Sequence, residues 1–245
     1  MAIGKRFRWK FSMCTSLVVN RKKTIVGWNL DILEMASRVR AAADGVFIEI
    51  DDPKEGWLPL FGANARGDFV GMPTCWPFDG RSDPDGSGEN IIMLDIDLLM
   101  QRKTLREIRE IAEKRLVHSI PGTTFMSALS DADGNVLHII PGQGDLYYEK
   151  PDHKILTNFS PFKQDAEKHP WMGWERYRKA EAMLQGATDD FGVKDGFEVL
   201  RAVSQTVCPT VVSMVYDVRE RTVHWCENRE WNAIRTVSLH RADDR

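Results

Sequence analysis

Met13-Cys14-Thr15 is a place where one residue can supply two reacting groups. If the chain starts at Cys14, that residue carries both a thiol and a free α-amine. Two routes lead there: translation from Met13 followed by loss of the methionine, or cleavage of the Met13–Cys14 bond. A terminal amine has a pKa of about 7.7 to 8.0, so near neutral pH it can act as general base for its own thiol. Left inside a longer chain, the same cysteine reads as a small apolar residue at the edge of a strand. Other reactive residue types are scattered. Cys14, Cys75, Cys208 and Cys226 include no CxxC pair and make no disulfide framework, so free thiols are expected. His118, His138, His153, His169, His224 and His240 show no HExxH spacing and no Cys/His grouping, which leaves a zinc site without support. The glycines form neither GxGxxG after a strand nor GxxxxGK[ST], so nucleotide-phosphate binding has no warrant.

The elements around these residues follow from patterning. Thr15 to Asn20 and Thr24 to Trp28 are β-rich runs split by Arg-Lys-Lys, which predicts a hairpin beginning directly after Cys14. Gly45 to Ile50 reads as a strand, and Asn64 to Gly71 as a turn and strand. Pro73 to Asn90 is a long Gly/Pro/Asp loop. From Leu94 to Val117, Leu98, Leu105, Ile108, Ile111 and Leu116 recur at helical spacing, as one helix or two. Phe125 to Ser130 and Val136 to Ile140 flank the polar turn Asp131 to Asn135, the grammar of a hairpin. Tyr147–Tyr148 and Lys154 to Leu156 offer further strands. Trp174 to Leu184 and Asp195 to Val203 read as helices, and Thr210 to Val218 with Thr222 to Cys226 as a closing hairpin. Strand runs alternating with helix runs imply a layered α+β fold with largely antiparallel sheets and helices on the outer faces.

Composition bounds the rest. A chain of 245 residues is long enough for one sizeable core, and 42% hydrophobic with 28% charged residues is ordinary for a globular protein. The formal charge of −3 gives no broad attraction to nucleic acid or to an anionic membrane. No run approaches the roughly 20 apolar residues that span a bilayer. Residues 1–13, MAIGKRFRWKFSM, lack the apolar stretch of a secretory signal. A cytoplasmic location follows as the expectation, with neither nucleic acid nor membrane as partner. Of the tryptophans, Trp57, Trp76, Trp171 and Trp174 are candidates for core, with one or two of them lining an apolar acyl pocket.

Cys14-Thr15-Ser16 followed by Gly27-Trp28-Asn29-Leu30-Asp31 resembles the opening of the choloylglycine hydrolase family, linear amide hydrolases that include bile salt hydrolases and penicillin V acylases. Ile155-Leu156-Thr157-Asn158-Phe159-Ser160-Pro161-Phe162 resembles the family's Leu-Thr-Asn-x-Pro-x-Phe segment, and Gly173-Trp174-Glu175-Arg176-Tyr177 its Arg-aromatic motif at a helix start. The resemblance implies a four-layer αββα sandwich of the N-terminal-nucleophile type, formed by residues 14–245, with residues 1–13 as a leader or a misassigned start. It implies Cys14 as nucleophile and Asp31 as the residue holding its amine. Asn158 would stand in the oxyanion hole, with Asn64 as a weaker second candidate, and Arg176 beside the thiol. Read without the family, Asp31 and Asn158 are turn residues and Arg176 a solvated helix cation. The implied chemistry uses no metal and no organic cofactor. The implied partner is a small-molecule N-acyl amide, and family members are often homotetramers. Trp28 stands where many members carry an arginine.

Overall fold

The computed structural model describes residues 13–76, 83, 86–162, 166–169 and 172–240. Residues 1–12 of the expected leader, part of the Pro73 to Asn90 loop, and Trp171 lie outside the described residues.

In chain order the strands begin with β1 (Thr15–Asn20), β2 (Thr24–Asp31), β3 (Ser37–Ala42), β4 (Gly45–Asp52), β5 (Gly56–Asn64) and β6 (Phe69–Gly71). A two-residue strand β7 (Glu89–Asn90) leads into helices α1 (Ile91–Leu99) and α2 (Leu105–Lys114), and β8 (Val117–His118) pairs back with β7. Then come β9 (Ser127–Ser130), β10 (Val136–Ile140), β11 (Gly144–Tyr148) and β12 (His153–Leu156). Helices α3 (Trp174–Gln185) and α4 (Val193–Ala202) precede β13 (Thr210–Asp217), β14 (Thr222–Glu227) and β15 (Arg235–Ser238).

The expected first hairpin forms, with Ser16 opposite Trp28 and Val19 opposite Ile25. Every residue of β1 and β2 is buried. The cause is position: the six-stranded sheet runs β12-β1-β2-β13-β14-β15, so the hairpin lies inside it. The seven-stranded sheet runs β11-β10-β9-β6-β5-β4-β3, antiparallel throughout. Because side chains alternate along a strand, β2 sends Val26, Trp28 and Leu30 into the core between the sheets, where Phe61, Phe69 and Val70 meet them. Trp28 stacks on Phe61 with ring centroids 5.3 Å apart. Gly71 makes room, since a Cβ there would lie 2.7 Å from the Trp28 ring.

The opposite face of the first sheet, with Leu17, Val19, Ile25 and Val215, is covered by Ala180 and Leu184 of α3 and Leu200 of α4. On the second sheet, Leu98, Leu99, Leu105 and Ile108 of α1 and α2 join the main core. Helix, sheet, sheet, helix is the four-layer αββα sandwich expected. The long helical run is two helices because Thr104 opens a new one with a capping box: Glu107 N–H donates to Thr104 Oγ1 at 3.2 Å and Thr104 N–H to Glu107 Oε2 at 2.8 Å.

Three strands carry weak sequence signals. β3 (SRVRAA) and β15 (RTVS) are half-exposed outer strands without clean alternation, and β5 contains Pro59 and two glycines. Among the described residues no helix is long and apolar enough to cross a membrane.

Candidate active site

Cys14 lies one residue before β1 and is fully buried. Met13 continues the strand line, its N–H donating to Asp31 O at 2.8 Å, so the Met13–Cys14 link is held against the end of β2.

Arg176 reaches this point from the first turn of α3. Its Nη1 donates to Cys14 O and to Thr15 Oγ1, both at 2.7 Å, and its Nη2 donates to Asn158 Oδ1 at 2.7 Å. Arg176 is only 9% exposed, so the geometry of its guanidinium is fixed by these bonds and not by solvent. The left-handed turn at Gly173 (φ 92°) directs the helix start. A Cβ at Gly173 would stand 2.7 Å from Arg176 Nη2 and 2.8 Å from Thr157 Oγ1, which leaves space for glycine alone.

Asp31 closes β2, with no exposed surface. Thr210 Oγ1 donates to its Oδ1 at 2.6 Å, Gln205 Nε2 donates to its Oδ2 at 2.5 Å, and Arg176 Nη1 stands 3.9 Å from Oδ2. Burial pushes its carboxyl up to about 6, against the pull of Arg176 and the two hydrogen bonds. Burial also lowers Arg176 from its ordinary value, opposed by Asp31 and Cys14. Gln205 Nε2 donates a second time, to Met13 O at 2.9 Å, so one amide spans the backbone carbonyl before Cys14 and the buried carboxylate. Cys208, in the same Gln205–Thr210 loop, has its thiol pushed up to about 12 by burial and by Asp31.

Asn158 follows β12 and is 2% exposed. Its Nδ2 donates to Thr74 O at 2.7 Å and Thr74 Oγ1 at 3.1 Å, while its backbone O accepts from Trp76 N–H at 3.0 Å. Cys14, Asp31, Asn158 and Arg176, far apart in the chain, thus form one buried polar cluster. Arg176 grips the Cys14 carbonyl, and its charge interacts with that of the Cys14 thiolate. A buried amide aligned by that guanidinium is the kind of donor that stabilises an oxyanion.

The structure does not bring Asn64 to this cluster. Its Nδ2 donates to Asp68 Oδ2 at 2.9 Å and to the carbonyls of Leu98 and Leu99 at 3.1 and 3.2 Å, tying the β5–β6 turn to the end of α1. Its own carbonyl accepts from Tyr216 OH, and Tyr216 lies opposite Val26. From Val26 to Asp31 at about 3.4 Å per residue is roughly 17 Å along the strand. Asn64 is therefore committed at the other end of the sandwich. Sequence reasoning missed Thr74, Gln205 and Thr210, which hold the cluster but lie in no recognisable spacing. Trp28 is entirely in the inter-sheet core. Trp57 is 37% exposed with the Arg38 guanidinium 4.3 Å over its ring, so it fills neither core nor pocket. Among the described residues, no group of three or more His, Cys, Asp or Glu could hold a metal ion.

No protein-family model and no curated protein matches this chain. Solved structures do. A mutant of conjugated bile acid hydrolase from Clostridium perfringens is 13% identical, covering 93% of this chain and 92% of its own, at a TM-score of 0.66. A second variant of that hydrolase gives 13% identity, 92% coverage of each chain and a TM-score of 0.63. Penicillin V acylase from Agrobacterium tumefaciens is 14% identical, covering 87% of this chain and 83% of its own, at a TM-score of 0.63. Identities this low establish a shared fold, and that fold is the one the sequence motifs imply.

Proposed function

We propose that this chain, which shares the fold of conjugated bile acid hydrolase and penicillin V acylase, is a hydrolase of linear amide bonds in N-acyl small molecules. Cys14 is the nucleophile in this reading, acting in a chain, residues 14–245, from which everything before it has been removed. The observation that carries the proposal is the convergence of Arg176, Asn158 and Asp31 on the Cys14 end of β1 within one buried network.

With Met13 attached, the Cys14 nitrogen is an amide and cannot accept a proton. Once Met13 is gone, the freed amine replaces it beside Asp31, whose carboxylate orients and stabilises the ammonium form. The amine takes the thiol proton as sulfur attacks the acyl carbonyl, and returns it to the leaving nitrogen as the C–N bond breaks. Water then attacks the thioester, delivering one proton to the same amine, and the carboxylic acid leaves. Asn158 Nδ2 turns from Thr74 to the tetrahedral oxyanion, with its Oδ1 held by Arg176. Each step balances without metal or organic cofactor. The proposed partner is the N-acyl amide, in a cytoplasmic enzyme that forms a homo-oligomer.

The deciding experiment is intact mass and N-terminal sequencing of protein from its native host, followed by release of carboxylic acid from a panel of N-acyl amides. A chain beginning at Cys14 that turns over the panel, with turnover lost in Cys14→Ala, is the expected result. A native chain that retains Met13 defeats the mechanism and favours a catalytically silent protein that binds an acyl compound in the same place. Acyl transfer to added amines in place of hydrolysis would reassign the reaction to an acyltransferase.

A further inference from the structure

Apart from the Cys14 cluster, a cleft of about 550 Å³ opens along the outer edge of β12, between that strand, β11 and α3. It is lined on one side by Tyr148, Lys154 and His138, and on the other by Phe159, Trp174 and Tyr177. None of Cys14, Asp31, Asn158 or Arg176 lines it.

The second wall is a preformed aromatic surface. The Trp174 and Tyr177 rings stack with centroids 5.6 Å apart and 11° between planes, and Phe159 meets them edge-on at 5.5 and 5.4 Å. Rings locked against one another present flat apolar area at little entropic cost, which suits a planar apolar body.

The first wall carries an uncompensated positive group. Lys154 Nζ lies 3.9 Å from the Tyr148 ring centroid, bridging the edges of the two sheets, and has no carboxylate within ion-pair distance among the described residues. The acids at the cleft are already engaged. Glu181 bonds His153 Nε2 at 3.1 Å and Gln185 at 3.3 Å, and the 91% exposed Asp152 side chain stands 3.8 Å from Arg21. Beside Lys154, His138 is 4% exposed, edge-on to Tyr148 at 5.7 Å, and its ring nitrogens have no hydrogen-bond partner among the described residues. Burial and the Lys154 charge push His138 down to about 3, so it stays a neutral ring offering one N–H and one lone pair.

We propose that this cleft is a binding site for a small organic carboxylate with a flat apolar body, its carboxylate on Lys154 and the His138 N–H and its body against Phe159, Trp174 and Tyr177. The site does not depend on the reaction assigned to Cys14.

Calorimetric titration of the full chain with 1-naphthaleneacetate and with its uncharged amide, 1-naphthaleneacetamide, tests this without any variant. The expected result is saturable one-to-one binding of the carboxylate, about tenfold or more tighter than the amide, which corresponds to roughly 1.4 kcal/mol. Lys154→Met brings the carboxylate down to the amide's affinity, Lys154→Arg restores it, and Trp174→Leu weakens both ligands alike. No saturable binding, equal affinity for the two ligands, or carboxylate binding untouched by Lys154→Met would each overturn the proposal. The last outcome, joined to loss of binding in Arg176→Met, would move the carboxylate to the Cys14 cluster.

Discussion

At the scale of single residues, Asp31 shows how burial and function pull in different directions. A carboxylate in a fully buried site is destabilised by lost hydration, and Arg176 at 3.9 Å with two hydrogen bonds recovers part of that loss. The folded carboxyl therefore titrates at about 6 in place of 3.8. An acid whose folded pKa lies above its unfolded one binds more protons folded than unfolded between those two values. Its contribution to stability is complete below about pH 4 and lost as pH rises through about 6, to a limit of roughly 3 kcal/mol. We expect the wild-type advantage over Asp31→Asn, measured by urea unfolding, to shrink from pH 4 to pH 7. An advantage that grows over that range would mean that Arg176 outweighs burial. The two asparagines separate at the same scale. Asn158→Ala should lower kcat by about a hundredfold or more, the usual cost of an oxyanion donor. Asn64→Ala should leave kcat/KM unchanged and cost roughly 1–3 kcal/mol of stability, because it removes the amide that donates to the buried Asp68 carboxylate and to the Leu99 carbonyl. Melting curves and steady-state rates on both variants check the contrast.

At the scale of elements, the cluster depends on how α3 begins. Arg176 reaches Cys14 because Gly173 takes a left-handed conformation at the helix N-cap, with its carbonyl accepting from Thr157 Oγ1 at 3.2 Å. Gly173→Ala adds a Cβ into Arg176 and Thr157 and imposes a positive φ on a non-glycine residue, a strain of about 1–2 kcal/mol before any clash. The expected outcome is a lowered Tm together with a fall in kcat that Thr157→Ser does not produce. Full activity in Gly173→Ala would show that the Arg176 bonds tolerate displacement. The Gly-Trp-Glu-Arg run was legible as a helix start, whereas the role of the Gln205–Thr210 loop was not. Gln205 and Thr210 meet Asp31 from more than 170 residues away, and no local pattern encodes that approach.

At the scale of the whole molecule, one inter-sheet core holds the two sheets together, and Trp28 is its largest fully buried side chain. It packs on Phe61 and against Gly71, with its Nε1 lacking a hydrogen-bond partner among the described residues. Truncation to alanine should cost about 3–5 kcal/mol, the usual range for a buried aromatic. Trp28→Phe, which keeps most of the contact and removes the unpartnered N–H, should cost clearly less. Calorimetry of both variants measures the difference, and equal losses would mean that the indole N–H is not a liability. Replacement by arginine would bury a cation among Val26, Leu30 and Phe61 and is expected to prevent folding.

The sequence alone determined the alternation of strand runs with helix runs and, through the resemblance its motifs carry, the αββα class and the residues at which chemistry was to be sought. Those rest on local periodicity and on short contiguous motifs around Cys14, Asp31, Asn158 and Arg176. Tertiary structure alone decided which of the candidates share a site. Asn64 and Asn158 are equally plausible amides in a sequence. The packing of α1 on β5 commits one to helix carbonyls, and the approach of α3 to β12 commits the other to Arg176. The cleft beside β12 was illegible for the same reason. Its walls come from β10, β11, β12 and α3, and a cavity exists only where separately encoded surfaces fail to fill the space between them.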